Sequence, residues 1–238
     1  MRHKNQEHLI DGDKISKIRF VVIGAGAIGS YAIQALTKMG AADVTVYDDD
    51  TIEEHNIDNQ IYPLYAQGRH KVDALETLAF DFGGAKIKTV KQRWNLDNCV
   101  DGDVVISAVD DMDVRTAVWN HYRTRPHGLF LEGRMGAQLF RVFGVDSTNK
   151  AAQEYYTKTL YPQSEASPDK CGEKSIIYTV LQVAGQMASQ VKRYLMNEYR
   201  PTEVNYDCFR DEIRKKYHME EKMEVFIAED EPSEVTAQ

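Results

Sequence analysis

A glycine-rich run near the N-terminus has the residue types and spacing of a phosphate-binding loop. Gly24, Gly26 and Gly29 form a Gly-x-Gly-x-x-Gly pattern directly after the apolar run at 19–23. The first glycine of such a pattern permits a tight turn, the second lets a phosphate approach the backbone, and the third allows close helix–strand packing. A helix that begins here adds unpaired N–H groups and a partial positive charge. The pattern predicts a nucleotide site, although a glycine turn that only packs has the same residues.

An aspartate lies where it would complete such a site. Asp48 ends the second apolar run, about 20 residues beyond the glycines, where an acid can hold ribose hydroxyls. A NAD(P)-dependent oxidoreductase predicts the same glycines and the same aspartate. These residues alone therefore leave open which nucleotide is bound and which chemistry follows.

Three further motifs separate these alternatives. Residues 48–60 read DDDTIEEHNIDNQ, residues 68–75 read GRHKVDAL, and residues 104–115 read VVISAVDDMDVR. Together with the glycine loop they resemble the ubiquitin-activating, MoeB and ThiF superfamily. The resemblance covers roughly residues 18–145 and, more loosely, the helix predicted at 176–196. The order and spacing of four motifs make it more specific than the glycine loop alone.

The resemblance implies an ATP- and Mg²⁺-dependent adenylyltransferase. Its substrate would be the C-terminal glycine carboxylate of a ubiquitin-like or sulfur-carrier protein that ends in Gly-Gly, and the enzyme would be a homodimer. Lys71 would neutralise phosphate charge, Asp110 would position Mg²⁺ beside the attacked α-phosphate, and Arg115 matches the arginine that follows this acid. The implied nucleotide-binding residues are Gly24, Gly26, Gly29, Asp48, Asp50, Asn56, Asn59, Gln60 and Lys71. The residues implied to flank the partner's incoming tail are Gly133, Arg134 and Gln138.

One departure from the family pattern concerns the terminal phosphates. The family's Arg-Gln pair is Asn59-Gln60 in this chain, and asparagine brings no charge to the phosphates that this arginine normally contacts. Arg69 or His70 could substitute, and Arg2 is the candidate for a second arginine supplied by a partner subunit. The departure keeps open a further alternative, a non-catalytic relative that binds a ubiquitin-like protein.

Cysteine chemistry is a separate question. Many relatives carry a nucleophilic cysteine that receives the activated partner as a thioester, and Cys171 is the candidate because a helix N-terminus could lower its pKa. A small residue at a boundary is the alternative at this position, and Cys99 and Cys208 are predicted to be structural. The chain has no Cys-x-x-Cys pair, so a structural zinc is not expected.

Composition excludes several classes of function. The formal charge is −8, with 29 basic and 37 acidic residues, and the scattered lysines and arginines form no basic cluster. A nucleic-acid partner is therefore not expected. No apolar stretch reaches the roughly 18–20 residues that cross a bilayer, and the polar N-terminus is unlike a signal peptide. We expect a cytoplasmic protein with reduced thiols and no membrane partner.

The periodicity predicts the elements that position these residues. Strands alternate with helices, which favours an α/β fold: a Rossmann-like, doubly wound, mostly parallel sheet with helices on both faces and a small antiparallel extension. An adenylation domain is predicted over 1–217 and an acidic tail over 218–238, within which 223–228 could form an edge strand. The polar segment 149–174 is predicted to be a long loop. Strands are predicted at 19–23, 44–47, 87–90, 103–109, 129–131 and 138–145, and helices at 28–40, 68–80, 114–122 and 176–196.

Overall fold

A single mixed sheet organises the computed structural model, which describes residues 4–125, 128–166 and 176–218. Within these residues eight strands lie in the order β3-β2-β1-β4-β5-β6-β7-β8. The strands are β1 Arg19–Ile23, β2 Asp43–Tyr47, β3 Lys88–Val90, β4 Val104–Ser107, β5 Leu129–Gly136, β6 Leu139–Asp146, β7 Glu203–Asp207 and β8 Glu212–Lys216. The helices are α1 Gly12–Lys17, α2 Ala27–Met39, α3 Lys71–Gly83, α4 Met112–Tyr122, α5 Lys150–Thr157 and α6 Ile177–Leu195.

The strand order reverses at β1, which pairs in parallel with both β2 and β4. Its run RFVVI is rich in β-branched residues, and Phe20 to Ile23 are buried, as expected for a parallel strand covered on both faces. In open α/β sheets, ligands bind outside the carboxyl ends of the strands where the order reverses. The topology therefore puts the expected crevice at the ends of β1 and β4, and it confirms the doubly wound fold.

Two apolar layers hold the helices against the sheet. Helices α2, α3 and α6 cover one face, where Ile33, Leu36 and Val183 are fully or almost fully buried. Helices α4 and α5 cover the other face, where the Trp119 and Tyr156 rings lie 4.7 Å apart. Helices on both faces confirm the predicted architecture.

The antiparallel extension follows from the later strands. β5 pairs antiparallel with β6, β6 with β7, and β7 with β8. The hairpin of β7 and β8 was absent from the sequence prediction, and β8 is exposed at every residue, so no apolar alternation marked it. The predicted edge strand at 223–228 and the tail from 219 onward lie outside the described residues.

The prediction of a long loop at 149–174 was wrong in its first part. Residues 150–157 form α5, which begins where the Asn149 side-chain oxygen accepts a hydrogen bond from the Ala152 N–H at 2.8 Å. The helix buries Ala152 and Tyr156 and exposes its polar residues, so its few apolar positions gave a weak periodic signal. None of the helices that the structure describes is long and apolar enough to cross a membrane.

Candidate functional site

The glycine loop joins the end of β1 to α2 and lies against the end of β4. Gly24 has φ 96°, and a Cβ there would lie 2.6 Å from the Ala108 carbonyl oxygen. A Cβ at Gly29 would lie 1.9 Å from the Gly24 oxygen, whereas a Cβ at Gly26 would meet nothing within 4 Å. Two of the three glycines are thus required by packing, and the backbone at Gly26 is open to the approach of a phosphate at the N-terminus of α2.

The loop is fixed on two sides by hydrogen bonds to Ala25. Asp48 Oδ2 accepts from the Ala25 N–H at 2.7 Å, and the Tyr62 hydroxyl donates to the Ala25 carbonyl at 2.6 Å. Asp48 Oδ1 accepts from the Asp50 N–H at 2.9 Å. Burial raises the pKa of Asp48, against the lowering effects of these two amides and of Lys71. The ribose role of Asp48 stays a prediction, for which each of its oxygens retains acceptor capacity.

Lys71 lies at the first position of α3, where its side chain is only 8% exposed. A short antiparallel bridge between Thr51 and His70 brings it to Asp50, whose Oδ2 lies 2.7 Å from the lysine Nζ. Burial of an ammonium is costly unless it is paired. Asp50 therefore supplies the countercharge of Lys71, a pairing that the motif Gly-x-x-Lys could not indicate.

A cavity of about 320 Å³ lies beside this ion pair. It is lined by Asp49, Asp50, Thr51, Glu53, His55, Asn56 and Lys71. Carboxylate oxygens of Asp48, Asp49 and Asp50 lie within 4.8 Å of one another, so this edge of the crevice is strongly negative. A phosphate entering here needs a countercharge beyond that of Lys71, which is already paired.

The segment 56–60 lies between the crevice and α2. Asn56 is buried, and its side-chain oxygen accepts from the Glu53 N–H at 3.0 Å in a reciprocal cap. The Tyr31 hydroxyl donates to the Gln60 carbonyl at 3.4 Å, which fixes the segment against α2. Asn59 is partly buried in the same turn. Asn56 is therefore part of the wall of the cavity, and the nucleotide contacts expected of all three residues stay predictions.

The two adjacent acids after β4 have different environments. Asp111 is the N-cap of α4, and its Oδ1 accepts from the N–H groups of Asp113 and Val114 at 2.8 and 2.9 Å. Asp110 is exposed, one residue closer to the end of β4. Asp110 thus has the more accessible carboxylate of the two, and its role toward Mg²⁺ stays a prediction.

The Arg115 side chain is buried and paired with other protein groups. It is 6% exposed, its Nε lies 2.7 Å from Glu132 Oε1, and its Nη2 donates to the Val109 carbonyl at 2.6 Å. Glu132 is completely buried and also accepts from Arg134, at 2.8 Å from Nε and 2.9 Å from Nη2. The role of Arg115 toward phosphate stays a prediction, and its contacts anchor the loop that carries Asp110.

Glu132 is the residue that sequence reasoning missed. Its signal was a lone acid inside the apolar strand run LFLEGRMG, which is costly unless the acid is paired. Of the other expected residues, Gly133 packs under Val183 and Ile28, which would lie 3.0 and 3.2 Å from a Cβ. Gln138 Oε1 accepts from the Tyr178 hydroxyl at 2.6 Å.

The residues suggested as replacements for the family arginine have different environments. Arg69 is directed along α3, with its Nη2 3.2 Å from the Thr77 hydroxyl. The His70 Nδ1 is buried without a hydrogen-bond partner in the structure. Arg2 and Cys171 lie outside the described residues. Cys99 and Cys208 are free thiols of intermediate burial, and their structural role stays a prediction.

Solved structures share this fold. A crystal structure of E. coli MccB with ATP matches 92% of this chain and 71% of its own, with a TM-score of 0.72 at 12% identity. A crystal structure of PaaA matches 92% of this chain and 82% of its own, with a TM-score of 0.73 at 14% identity. Identities this low show the fold alone.

Curated relatives and a family model extend the comparison to sequence. The chain is 28% identical over 123 residues to ubiquitin-like modifier-activating enzyme 5 of Dictyostelium discoideum. The matched region is 44% of this chain and 32% of that protein. It is 23% identical over 209 residues to adenylyltransferase and sulfurtransferase UBA4 of Lodderomyces elongisporus. That match covers 82% of this chain and 44% of that protein. The chain thus spans less than half the length of these relatives. The ThiF family model matches residues 6–225, so the chain belongs to the ThiF family.

Proposed function

We propose that this chain uses ATP to adenylate the C-terminal carboxylate of a ubiquitin-like or sulfur-carrier protein that ends in Gly-Gly. The observation that carries the proposal is the contact between the glycine loop and the end of β4. It puts the open backbone at Gly26 next to the segment that ends in the exposed Asp110. The proposed phosphate site and the exposed carboxylate would then lie at one edge of the sheet, which supports a reaction at the α-phosphate.

In the proposed reaction each of these groups would have a part. The N-terminus of α2 would receive phosphate oxygens, Asp48 would accept from the ribose hydroxyls, and Lys71 would offset phosphate charge. Mg²⁺ would be held by the Asp110 carboxylate and by phosphate oxygens, and it would reduce the repulsion between the two anionic reactants. These donor types fit the group, because Asp110 is exposed and Asp111 is engaged by α4.

The chemistry needs positioning more than proton transfer. A substrate carboxylate oxygen forms a bond to the α-phosphorus, and the bond from that phosphorus to the bridging oxygen of pyrophosphate breaks. The products are a mixed anhydride and pyrophosphate, and no proton has to move because the attacking carboxylate is already ionised at neutral pH. The protein contributes by holding two anions together among fixed cations and N–H donors.

ATP–pyrophosphate exchange with Mg²⁺ tests the proposal directly. Exchange that depends on a particular Gly-Gly-ended protein would establish adenylation and identify the partner. Tight NADH binding without any ATP use would instead support the oxidoreductase alternative, which family membership disfavours.

A second candidate, a non-catalytic module that binds a ubiquitin-like protein, is favoured by the environment of Asn59. Among the described residues, the arginines of the motifs at 68–75 and 104–115 contact other side chains: Arg69 contacts Thr77, and Arg115 contacts Glu132. Exchange would then be absent while the partner still binds.

Asn59→Arg is expected to raise the exchange rate by about tenfold or more, because a cation is added where terminal phosphates are expected. Pyrophosphate exchange at saturating ATP measures the effect, with Asn59→Gln as the control for side-chain length without charge. Equal rates for the two variants would show that the position does not meet the phosphates. Activity in the arginine variant alone would establish the non-catalytic candidate for the natural chain.

A further inference from the structure

The antiparallel extension projects beyond the end of the parallel sheet. β4 ends at Ser107, opposite Glu132, whereas β5 continues to Gly136 and keeps its pairing with β6. One register position runs across this projecting part, from Arg134 to Arg141, Asn205 and Arg214. Directly opposed residues project on the same face. The three arginines therefore form one row, here termed the basic row (Arg134, Arg141 and Arg214), which crosses strands spaced about 4.8 Å apart.

The face that carries the basic row has more cations than carboxylates. Glu132 is shared between Arg115 and Arg134, Glu203 lies 2.6 Å from the Arg141 Nε, and Glu212 lies 3.3 Å from the Arg214 Nη2. Asp207, on the same face by register, is paired with Arg210 at 3.0 Å. Lys216 adds a further cation over the Tyr155 ring. The Arg141 and Arg214 side chains are 37% and 82% exposed, so they can meet a partner's carboxylates in solution. This local excess of positive charge contrasts with the chain's formal charge of −8.

We propose that the exposed members of the basic row, Arg141 and Arg214, bind acidic side chains in the tail of the adenylated partner, upstream of its C-terminal carboxylate, while the largely buried Arg134 marks the inner end of the row. The inference rests on the proposed function. If the partner's C-terminal carboxylate lies near Asp110, the residues that precede it must pass over a neighbouring surface of this protein. The basic row begins there, because Arg134 shares Glu132 with Arg115, which holds the loop of Asp110.

The dimensions limit where the acidic residues lie. Three strand spacings give about 14 Å from Arg134 to Arg214, a distance that four or five extended residues cover. The acidic side chains are therefore expected within about ten residues of the partner's C-terminus. The chain's own acidic stretch at 219–238 is a different occupant, which the experiment separates from a substrate.

The experiment compares two labelled peptides by fluorescence anisotropy with the full chain at low salt. Both end in Gly-Gly with a free carboxylate; one carries three glutamates upstream, and the other carries glutamines in their place. The acidic peptide is expected to bind about tenfold more tightly, and its affinity should fall as salt is added. Arg214→Glu should weaken it about three- to tenfold, because an attraction becomes a repulsion at an exposed position. Lys215→Glu, on the opposite face of β8, changes the net charge equally and should leave binding within about twofold.

The outcomes distinguish this surface from the proposed function. Equal affinities of the two peptides, no binding of the acidic peptide, or equal weakening by both variants would overturn the proposal. Stronger competition by an unlabelled 219–238 peptide than by unlabelled acidic peptide would assign the basic row to the chain's own tail and also overturn it. Pyrophosphate exchange is measured with the same peptides. Arg214-dependent binding of the acidic peptide would support the docking surface whether or not the peptide supports exchange, and exchange with both peptides alike would support the proposed function without the docking surface.

Discussion

Asp110→Asn is expected to lower pyrophosphate exchange at least about a hundredfold, because it removes a charge that no neighbouring acid can replace. Asparagine keeps the size and one oxygen of the side chain, so the loop after β4 should keep its conformation. Asp111, the adjacent acid, is committed to the N–H groups that begin α4. The measurement is the exchange rate at fixed Mg²⁺ and ATP, together with a thermal melt of each variant.

Asp111→Asn is the matched control for this prediction. Asparagine caps a helix about as well as aspartate, so this variant should keep both its stability and its exchange rate. A natural rate in the Asp110 variant would remove that residue from the proposed mechanism. Equal losses in both variants would show that the loop tolerates neither change and that the exposed carboxylate has no separate role.

Glu132→Gln is expected to lower the free energy of unfolding by about 3–5 kcal/mol, the usual cost of removing one partner from a buried ion pair. Glu132 is fully buried and is the carboxylate that both Arg115 and Arg134 contact. Its loss leaves two largely buried guanidinium groups without their shared carboxylate. Urea denaturation of the natural and variant chains measures the difference.

Two comparisons make this second prediction specific. Asp101→Asn removes a carboxylate whose pair with Arg125 is about half exposed on both sides, and it should cost at most about 1 kcal/mol. Adding Arg134→Met to Glu132→Gln should return part of the loss, because one uncompensated charge is then gone. A loss below about 1 kcal/mol in the single variant would contradict the account of a tightly coupled buried triad.

Much of the fold was predictable because local signals agreed with the tertiary structure. The strand RFVVI, the glycine loop and Gly40 lie together in sequence, and Gly40, the last residue of the predicted helix 28–40, ends α2 with φ 112°. α5 and the β7–β8 hairpin were not predictable in this way. α5 has few buried apolar positions, β7 begins with a buried glutamate, and every residue of β8 is exposed, so neither the helical nor the strand period emerges from the sequence.

The candidate site was predictable to the level of residue types but not of pairings. Lys71 and Asp110 follow from motif order, whereas the ion pairs of Lys71 with Asp50 and of Glu132 with Arg115 and Arg134 arise from elements far apart in sequence. These pairings decide which charges face the crevice. The motif indicates Asp110, but the sequence does not show that Asp111 is engaged as the N-cap of α4, since that depends on where the helix begins.

The hydrogen bonds that Asp48 and Tyr62 make to Ala25 allow the Ala25 backbone amide to report on the site by NMR. Its N–H donates to the Asp48 carboxylate, and the residue is 0% exposed, so its proton should exchange slowly with deuterated solvent even without nucleotide. Because the pKa of Asp48 is raised, the carboxyl takes up a proton at a higher pH than an ordinary aspartate. The amide chemical shift of Ala25 should move over that pH range. Nucleotide added at neutral pH should displace the same signal, since ribose and amide would then share one acceptor group.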